Sequence, residues 1–328
     1  PMLLRLDPEA AKVTVRLLAT GVRTDGEAPS AVVLPGQREW EAARDATVHA
    51  RAEEWWSDHF DSPLLFVLAA DLVATAMEDD ELAQACRPQM VAVFERYLGL
   101  CDGHGLPQKP RHDRDWADNV FRSGAVAYDV GLWAGVLDVM RRRGDAPTVA
   151  RAANALARLR RGVERLRMSG GGYAEWATPD GSGEARLALD SLTLLRFGAV
   201  PDARAEALLD AVAARLETGW GVMSGAPPYR RRVDLRAKSA FAGRYHNGGD
   251  WPWLDGLYAE ERLRRGLSGW RAPLTRWWAR GLANGWTSPV EWFAPAWGRG
   301  SLLQAWSSLP AAVVLAHRDA VLAGDPAA

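Results

Sequence analysis

Residues 126–168 read VAYDVGLWAGVLDVMRRRGDAPTVARAANALARLRRGVERLRM. Val126, Val130, Trp133, Leu137 and Met140 recur at steps of three and four, which puts one apolar stripe on an α-helix. Val149, Ala152, Leu156, Leu159, Val163 and Leu166 repeat the pattern. Gly144 and Asp145 interrupt it, too briefly for anything but a tight turn. The segment is therefore a helical hairpin, and the rest of the chain follows its rhythm.

Working outward, the pattern predicts about ten helices, near 38–57, 62–78, 80–98, 126–143, 146–168, 185–197, 202–218, 249–265, 268–284 and 301–318. Pro63 to Met77 is apolar on almost every side, so that helix should be buried all round. Leu208, Val212 and Leu216 mark another stripe. Trp277 and Trp278, in the middle of a helix, read as core packing. Strand signals are few: Val13-Thr14-Val15 and Ala31 to Leu34. Tight turns at 143–146, 197–202 and 265–268 alternate with long loops at about 99–125, 169–184, 219–248 and 285–300. Loops of that length are usually functional or disordered. These carry Trp, Gly, Asp, His and Glu, which favours function. Alternating turns and loops gather the long loops at one end of an all-α toroid. A solenoid would need a fixed repeat, and none is visible. Residues 1–37 are too short and too broken by Pro and Gly for a pair of long helices. They are expected to be an N-terminal extension, irregular or with short strands, ahead of a toroid over 38–328 with its first hairpin shortened or lacking.

Composition removes several classes. The chain has 328 residues, 48% hydrophobic and 25% charged, with net charge −1. A near-neutral balance provides no field for nucleic acid or an anionic membrane. No stretch approaches the roughly 20 apolar residues of a membrane span. No basic-then-apolar signal segment opens the chain, and Met2 behind Pro1 reads as the native start. Cys86 and Cys101 make neither a disulfide framework nor a four-ligand zinc site, so a cytoplasmic protein without metal or organic cofactor is expected. Only Lys12, Lys109 and Lys238 are lysines among 40 basic residues, a bias expected of a GC-rich genome. The 16 Trp are harder to dismiss, because ten lie after residue 219.

Four loops carry candidate chemistry. The first, CDGHGLPQKPRHDRDWADNVFRSG (101–124), places Asp113, Asp115 and Asp118 near Trp116, Arg114 and Arg122. A helix cap needs one such acid; burial beside a second carboxylate is how a carboxyl pKa rises towards that of an acid catalyst. The second, GRYHNGGDWPWLDG (243–256), packs Tyr245, His246, Asn247, Asp250, Trp251 and Trp253 around Gly248 and Gly249. The third, NGWTSPVEWFAPAWGRGSLLQAWSS (284–308), surrounds Glu291 with Trp286, Trp292, Phe293 and Trp297, and brings Gln304 and Trp306 to the same end. Pairing with Arg299 is the ordinary alternative for Glu291. The fourth, SGGGYAEWATPDGSG (169–183), lacks the context of a phosphate-binding loop. The basic run Arg230, Arg231, Arg232, Arg236 and Lys238 reads as a solvated loop.

The phrases DWADNVFRSG (115–124), GRYHNGGDWPWL (243–254) and VEW…GRGSLLQAWS (290–307) resemble the six-hairpin (α/α)6-barrel glycosidases. The likeness is to the amylo-α-1,6-glucosidase domain of glycogen-debranching enzymes and to the alkaline/neutral invertases, and it covers roughly residues 60–318. It implies an inverting hydrolase of a small, α-linked glucoside, with Asp118 as general acid and Glu291 as general base. Counting back from a twelfth helix at 301–318 puts these residues in the family's positions. Inverting hydrolysis needs a protonated carboxylic acid at the leaving oxygen and a carboxylate holding water on the opposite face. Asp115 favours a proton on Asp118, whereas Arg122 opposes it. The resemblance also implies that Asp115, Trp116, Arg122, Tyr245, His246, Asn247, Trp251, Trp253, Gln304 and Trp306 bind a carbohydrate substrate. A shortened barrel would gain from a partner surface, so a homo-oligomer is one expectation. Two alternatives stand beside this reading. One is a non-hydrolytic descendant that binds a carbohydrate or performs another acid/base reaction. The other is a helical scaffold with an exposed aromatic patch.

Overall fold

The computed structural model describes residues 2–30, 58–181, 183–286 and 288–324. The helix expected at 38–57, the strand signal at 31–34 and the boundary at 37/38 lie outside them. In chain order the helices are α1 (Met2–Leu6), α2 (Pro8–Gly21), α3 (Ser62–Ala76), α4 (Asp80–Leu100), α5 (Ala127–Arg143), α6 (Ala146–Gly162), α7 (Thr193–Arg196), α8 (Ala205–Leu216), α9 (Pro252–Leu263), α10 (Arg271–Ala283), α11 (Leu309–Ala316) and α12 (Arg318–Ala323). The strands are β1 (Lys109–His112), β2 (Arg122–Val126), β3 (Ala174–Ala177), β4 (Gly183–Ala188), β5 (Gly225–Ala226), β6 (Phe293–Ala294) and β7 (Gly298–Arg299).

The quoted hairpin forms as α5 and α6. Asp145 caps α6 by accepting from the Thr148 amide at 3.0 Å. Helix α5 is the centre of the molecule, buried at nearly every position from Ala127 to Met140. Two glycines permit this. A Cβ on Gly131 would lie 2.3 Å from Thr193 Oγ1, and one on Gly135 would lie 2.7 Å from the Phe197 ring. Their absence lets α7 and its flanks press against α5.

Successive neighbours close a circuit: α2 packs on α3, α3 on α5, α5 on the 189–196 segment, that segment on α9, α9 on α11, and α11 on α1. Helices α4, α6 and α10 back it from outside. This is a mostly helical toroid. Its N-terminal sector is helical, against the expectation of strands at Val13–Val15. Asp7 accepts from the Ala10 amide, Pro8 opens the first turn, and Ala11 and Val15, one turn apart, share a buried face. Tertiary burial at that spacing outweighs the β preference of Val13, Thr14 and Val15. Among the described residues no helix is long and apolar enough to cross a membrane.

Four further expectations are corrected. Helix α3 is not buried all round: Leu65 and Leu72 are exposed, because its neighbours leave one strip uncovered. Trp277 is buried but Trp278 is exposed, since adjacent helical residues point about 100° apart. Residues 185–197 begin as strand β4, in which Leu187 pairs with both Ala174 and Ala226, and only then turn through a 3-10 stretch into α7. The last predicted helix starts at Leu309, because Leu302 is drawn into a bridge with Val290.

The long loops are not irregular. Three of them supply the antiparallel sheet β1-β2-β3-β4-β5. The strands are two to six residues long, too short to show alternation. The loops thus form a hydrogen-bonded platform at one end of the hairpins. Gly131→Ala is expected to lower unfolding stability by about 1–3 kcal/mol through overpacking; an unchanged urea midpoint would contradict this packing account.

Candidate active site

The 113–121 loop between β1 and β2 is anchored from below. Asp115 accepts from the Ala117 amide at 2.8 Å, ion-pairs with Arg122 at 2.8 Å and lies 3.3 Å from Lys109 Nζ. Arg122 Nη1 also reaches Asp190 at 2.6 Å. Asp190 in turn accepts from the Trp116 indole N–H at 2.7 Å, and Asp61 accepts from the Trp116 backbone amide at 2.9 Å. Trp116 is thus pinned by two carboxylates from other parts of the toroid. Burial works against the Asp115 charge, but Arg122 and Lys109 hold its carboxyl well below the ordinary range. Arg122 is 0% exposed and Asp115 is buried. Both lie beneath the site rather than facing its opening.

The second loop turns through three left-handed residues, Gly243, Tyr245 and Gly248. Tyr245 is the costly one, since a side chain in that region is strained. The Gly243 amide donates to the Asn247 carbonyl at 2.8 Å. Asn247 accepts from the Tyr229 amide at 3.1 Å and donates to the Ser239 carbonyl at 3.0 Å. It staples the loop and is buried, with both ends of its amide engaged by the protein. A Cβ on Gly249 would lie 2.7 Å from the Tyr245 carbonyl oxygen, and only glycine allows that approach.

The third loop fixes Glu291 by a reciprocal pairing with Ser301. The Glu291 amide donates to the Ser301 carbonyl at 2.8 Å, and the Ser301 amide donates to Glu291 Oε2 at 3.2 Å. Arg299 donates instead to the Gly300 carbonyl at 2.8 Å. Of the aromatics expected around Glu291, only Trp292 faces the Tyr245 ring. Phe293 stands between Trp220 and Trp286, and Trp297 lies against Phe241. Gln304 follows in an extended conformation and Trp306 in the 3-10 turn Ala305–Ser308, Trp306 being 51% exposed.

These loops converge on one phenol. Tyr245 Oη donates to Glu291 Oε1 at 2.9 Å. Burial first, then the nearby charges of Asp118 and Glu291 and the hydrogen bond to Glu291, push its pKa far up. The Tyr245 ring also lies 4.2 Å from the His246 ring, whose Nε2 meets Asp118, so the two candidate carboxyls come from different loops to neighbouring residues. Asp118 pairs with His246 Nε2 at 3.1 Å and accepts from Asn119 at 3.0 Å. Its side chain is 31% exposed. Burial raises its pKa, but hydrogen bonds from His246 and Asn119 and the charge of Lys238 outweigh that and lower it. Burial lowers the His246 pKa despite Asp118. A neutral imidazole bonding an ionised carboxylate must carry its proton on Nε2.

Aromatic rings wall this centre. His246 stacks on Trp251 at 4.6 Å and meets Trp116 edge-on at 4.7 Å. Trp116 meets Trp251 at 5.4 Å and Trp253 at 4.9 Å. Among the described residues no three His, Cys, Asp or Glu are grouped as a metal ion would need. Asp61 and Asp190, which hold Trp116, are not among the sequence candidates, and Lys238, expected in a solvated basic loop, places its ammonium 4.8 Å from the Tyr245 ring centroid. Asp61 announces itself in sequence only as a helix start, and no local pattern joins it to Trp116.

No family model matches the chain, and no curated protein matches it. Among solved structures it is similar to the GH63 mannosylglycerate hydrolase from Thermus thermophilus in complex with glucose. That likeness has 18% identity and a TM-score of 0.66, over 96% of this chain and 90% of that one. The complex of that hydrolase with Tris gives 16% identity and a TM-score of 0.68, with the same coverage. A rhamnosidase from Klebsiella oxytoca with rhamnose bound gives 16% identity and a TM-score of 0.65 over 94% of this chain. The chain spans 54% of the rhamnosidase's length. What these likenesses share with the chain is the fold.

Asp61 provides a test of the buried network. Burial, with the Asp115 charge, raises its pKa to about 7. As pH rises from about 4 to 7 the unfolded chain loses this proton while the folded chain keeps it, so wild-type stability falls, by at most on the order of 4 kcal/mol. Asp61→Asn cannot ionise. Its stability relative to wild type should climb between pH 4 and pH 8 in urea titrations; a flat difference would refute the assignment.

Proposed function

We propose that the chain is a glycoside hydrolase acting with inversion on a small, α-linked glucoside. Asp118 is the general acid and Glu291 the general base. The observation that carries this reading is Glu291 held by Tyr245 and Asp118 held by the adjacent His246, both within a wall of tryptophans. The three motif loops, with their likeness to the debranching and invertase group, support it. So does the fold shared with a mannosylglycerate hydrolase solved with glucose and a rhamnosidase solved with rhamnose.

The mechanism follows from the two environments. Glu291 is oriented by the Ser301 amide and the Tyr245 hydroxyl, which fix both oxygens while leaving lone pairs for a water. That water attacks the anomeric carbon as Glu291 takes its proton. The C–O bond to the leaving group breaks, and Asp118 protonates the departing oxygen. His246 and Asn119 hold Asp118 ionised, so it must gain its proton as substrate arrives. A sugar covering its exposed face removes the remaining water and strengthens the effect of burial, which raises the pKa. The partly exposed indoles of Trp116 and Trp253 would offer flat apolar surfaces to the C–H groups of a pyranose, with Trp251 behind them stacked on His246. Gln304 and Trp306 would reach substrate from the rim.

One observation favours a second reading, a non-hydrolytic carbohydrate binder on the same toroid. The resting Asp118 is stabilised in the form that cannot donate a proton. Turnover separates the two. Asp118→Asn and Glu291→Gln should each remove nearly all release of glucose from an accepted α-glucoside while thermal unfolding stays close to wild type. Binding of gluco-oligosaccharides by calorimetry without release would favour the binder. Wild-type turnover in either variant would sink the assignment.

The His246 bond makes a pH prediction. Donation from Nε2 stabilises the Asp118 carboxylate, so its loss raises the Asp118 pKa. His246→Phe keeps an aromatic ring against Trp251, and should shift the alkaline limb of kcat/KM to higher pH. An unmoved or lowered limb would show that Asp118 is not the acid whose proton is required.

A further inference from the structure

Tyr245 and His246 are neighbours in the chain, yet both side chains reach one centre, the first at Glu291 and the second at Asp118. Consecutive residues of an extended chain point to opposite sides. Here the left-handed backbone of Tyr245, with φ 52°, turns the chain so that the two rings lie 4.2 Å apart. A residue with a side chain holds that conformation at a cost, and it persists only where the surroundings over-determine it. The bonds that do so converge on Ser224.

Ser224 immediately precedes β5 and is buried. Its Oγ donates to the His246 carbonyl at 3.1 Å, with the Tyr245 carbonyl at 3.4 Å, and accepts from the Gly248 amide at 3.1 Å. Its own amide donates to the Gly249 carbonyl at 2.9 Å. One residue therefore bonds the turn at Tyr245, His246, Gly248 and Gly249. On its other side the Ser224 carbonyl accepts from the Leu189 amide at 2.9 Å, and Leu189 precedes Asp190, which holds Trp116. Ser224 thus sets the turn against the segment that fixes the wall of the site. The Gly249 amide and the Trp251 indole also donate to the Tyr245 carbonyl, but they close the turn on itself. Asn247 bonds outside it through a side chain, to Tyr229 and Ser239, and leaves the Tyr245 and His246 carbonyls to Ser224.

We propose that Ser224 is a positioning residue whose hydroxyl aims Tyr245 at Glu291 and His246 at Asp118 together. The inference rests on the hydrolase reading, in which those two carboxyls are base and acid. An alanine at 224 would leave the Gly248 amide without this acceptor and the His246 carbonyl without this donor. The turn could then relax from the left-handed backbone of Tyr245, and both side chains would lose their aim at once.

Ser224→Ala should lower kcat about 10- to 100-fold with KM within about threefold, since misplacing reacting groups by about an ångström has that effect. It should also move the alkaline limb of kcat/KM to higher pH, because weaker donation from His246 leaves the Asp118 pKa higher. Combined with His246→Phe, it should move the limb no further than His246→Phe alone. Proton NMR needs no turnover. The downfield imidazole N–H resonance of His246, identified by its loss in His246→Phe, should broaden or move upfield in Ser224→Ala. Ser224→Cys, which places a weakly bonding atom at the Oγ position, gives the same readings should the alanine variant not fold. A wild-type resonance, an unmoved limb, or limb shifts that add in the double variant would each overturn the proposal, as would reduced stability in urea with kcat of the folded protein unchanged. The hydrolase reading fails separately, if Asp118→Asn or Glu291→Gln retains wild-type turnover, and the resonance then still decides whether Ser224 aims His246.

Discussion

Arg122 is the point on which the structure turns. Its guanidinium is fully buried and joins Asp115 on the 113–121 loop, Asp190 in the 189–192 turn and, at 3.5 Å, Glu175 on β3. Taking these charges from water costs several kcal/mol per ion, and their attraction repays it only when the geometry is satisfied. Removing one partner would strand the rest. Such a cluster adds little net stability but tolerates only one arrangement of the segments it joins. Those segments hold Trp116, and Trp116 lies against His246, Trp251 and Trp253.

A second constraint ties the far side. Asp250 and Phe293 exchange both backbone hydrogen bonds at 2.8 Å. Asp250 follows the Tyr245–Gly249 turn and Phe293 follows Glu291, so this pairing sets the phenol against the carboxylate. Burial and Asp250 push the Asp255 carboxyl far up in pKa, and Arg280 lies 3.3 Å from Asp250. The candidate acid and base therefore owe their placement to main-chain bonds between loops that no single helix carries. Acid, base and phenol are positioned by loops, and the loops by a sheet and buried charges, while the helical circuit supplies a rigid floor.

Much of this was legible in the chain. The hairpin at 126–168 follows from the period of its apolar residues, as do α3, α4, α8, α9 and α10, because amphipathic spacing is a local property. Three loops rich in Trp, Asp, His and Glu stood out by composition, and the structure brings Asp118, Tyr245, His246, Trp116, Trp251, Trp253 and Glu291 together. Asp115, Arg122 and Asn247, from the same phrases, are buried and bonded to neighbouring segments of the protein. A sequence shows that a charge stands beside a tryptophan, but not which faces inward. Strands β1 to β5 escaped notice because each is stabilised by partners far away in sequence rather than by its own pattern.

The sequence by itself determined that this is a helical toroid whose long loops carry the candidate site, since periodicity, breakers and loop lengths are all written locally. Only the tertiary structure decided how charges are matched. Asp118 has Asp115 three residues away, yet burial, opposed by His246, Asn119 and Lys238, sets the direction of its pKa, while the buried Asp115 is paired with Arg122 and Lys109. The described tryptophans divide in the same way, into rings around the candidate carboxyls, rings in the core, and the exposed Trp278, Trp297 and Trp306. The physical reason is common to both. Burial and Coulomb interactions depend on distance through space, and folding makes that distance unrelated to distance along the chain.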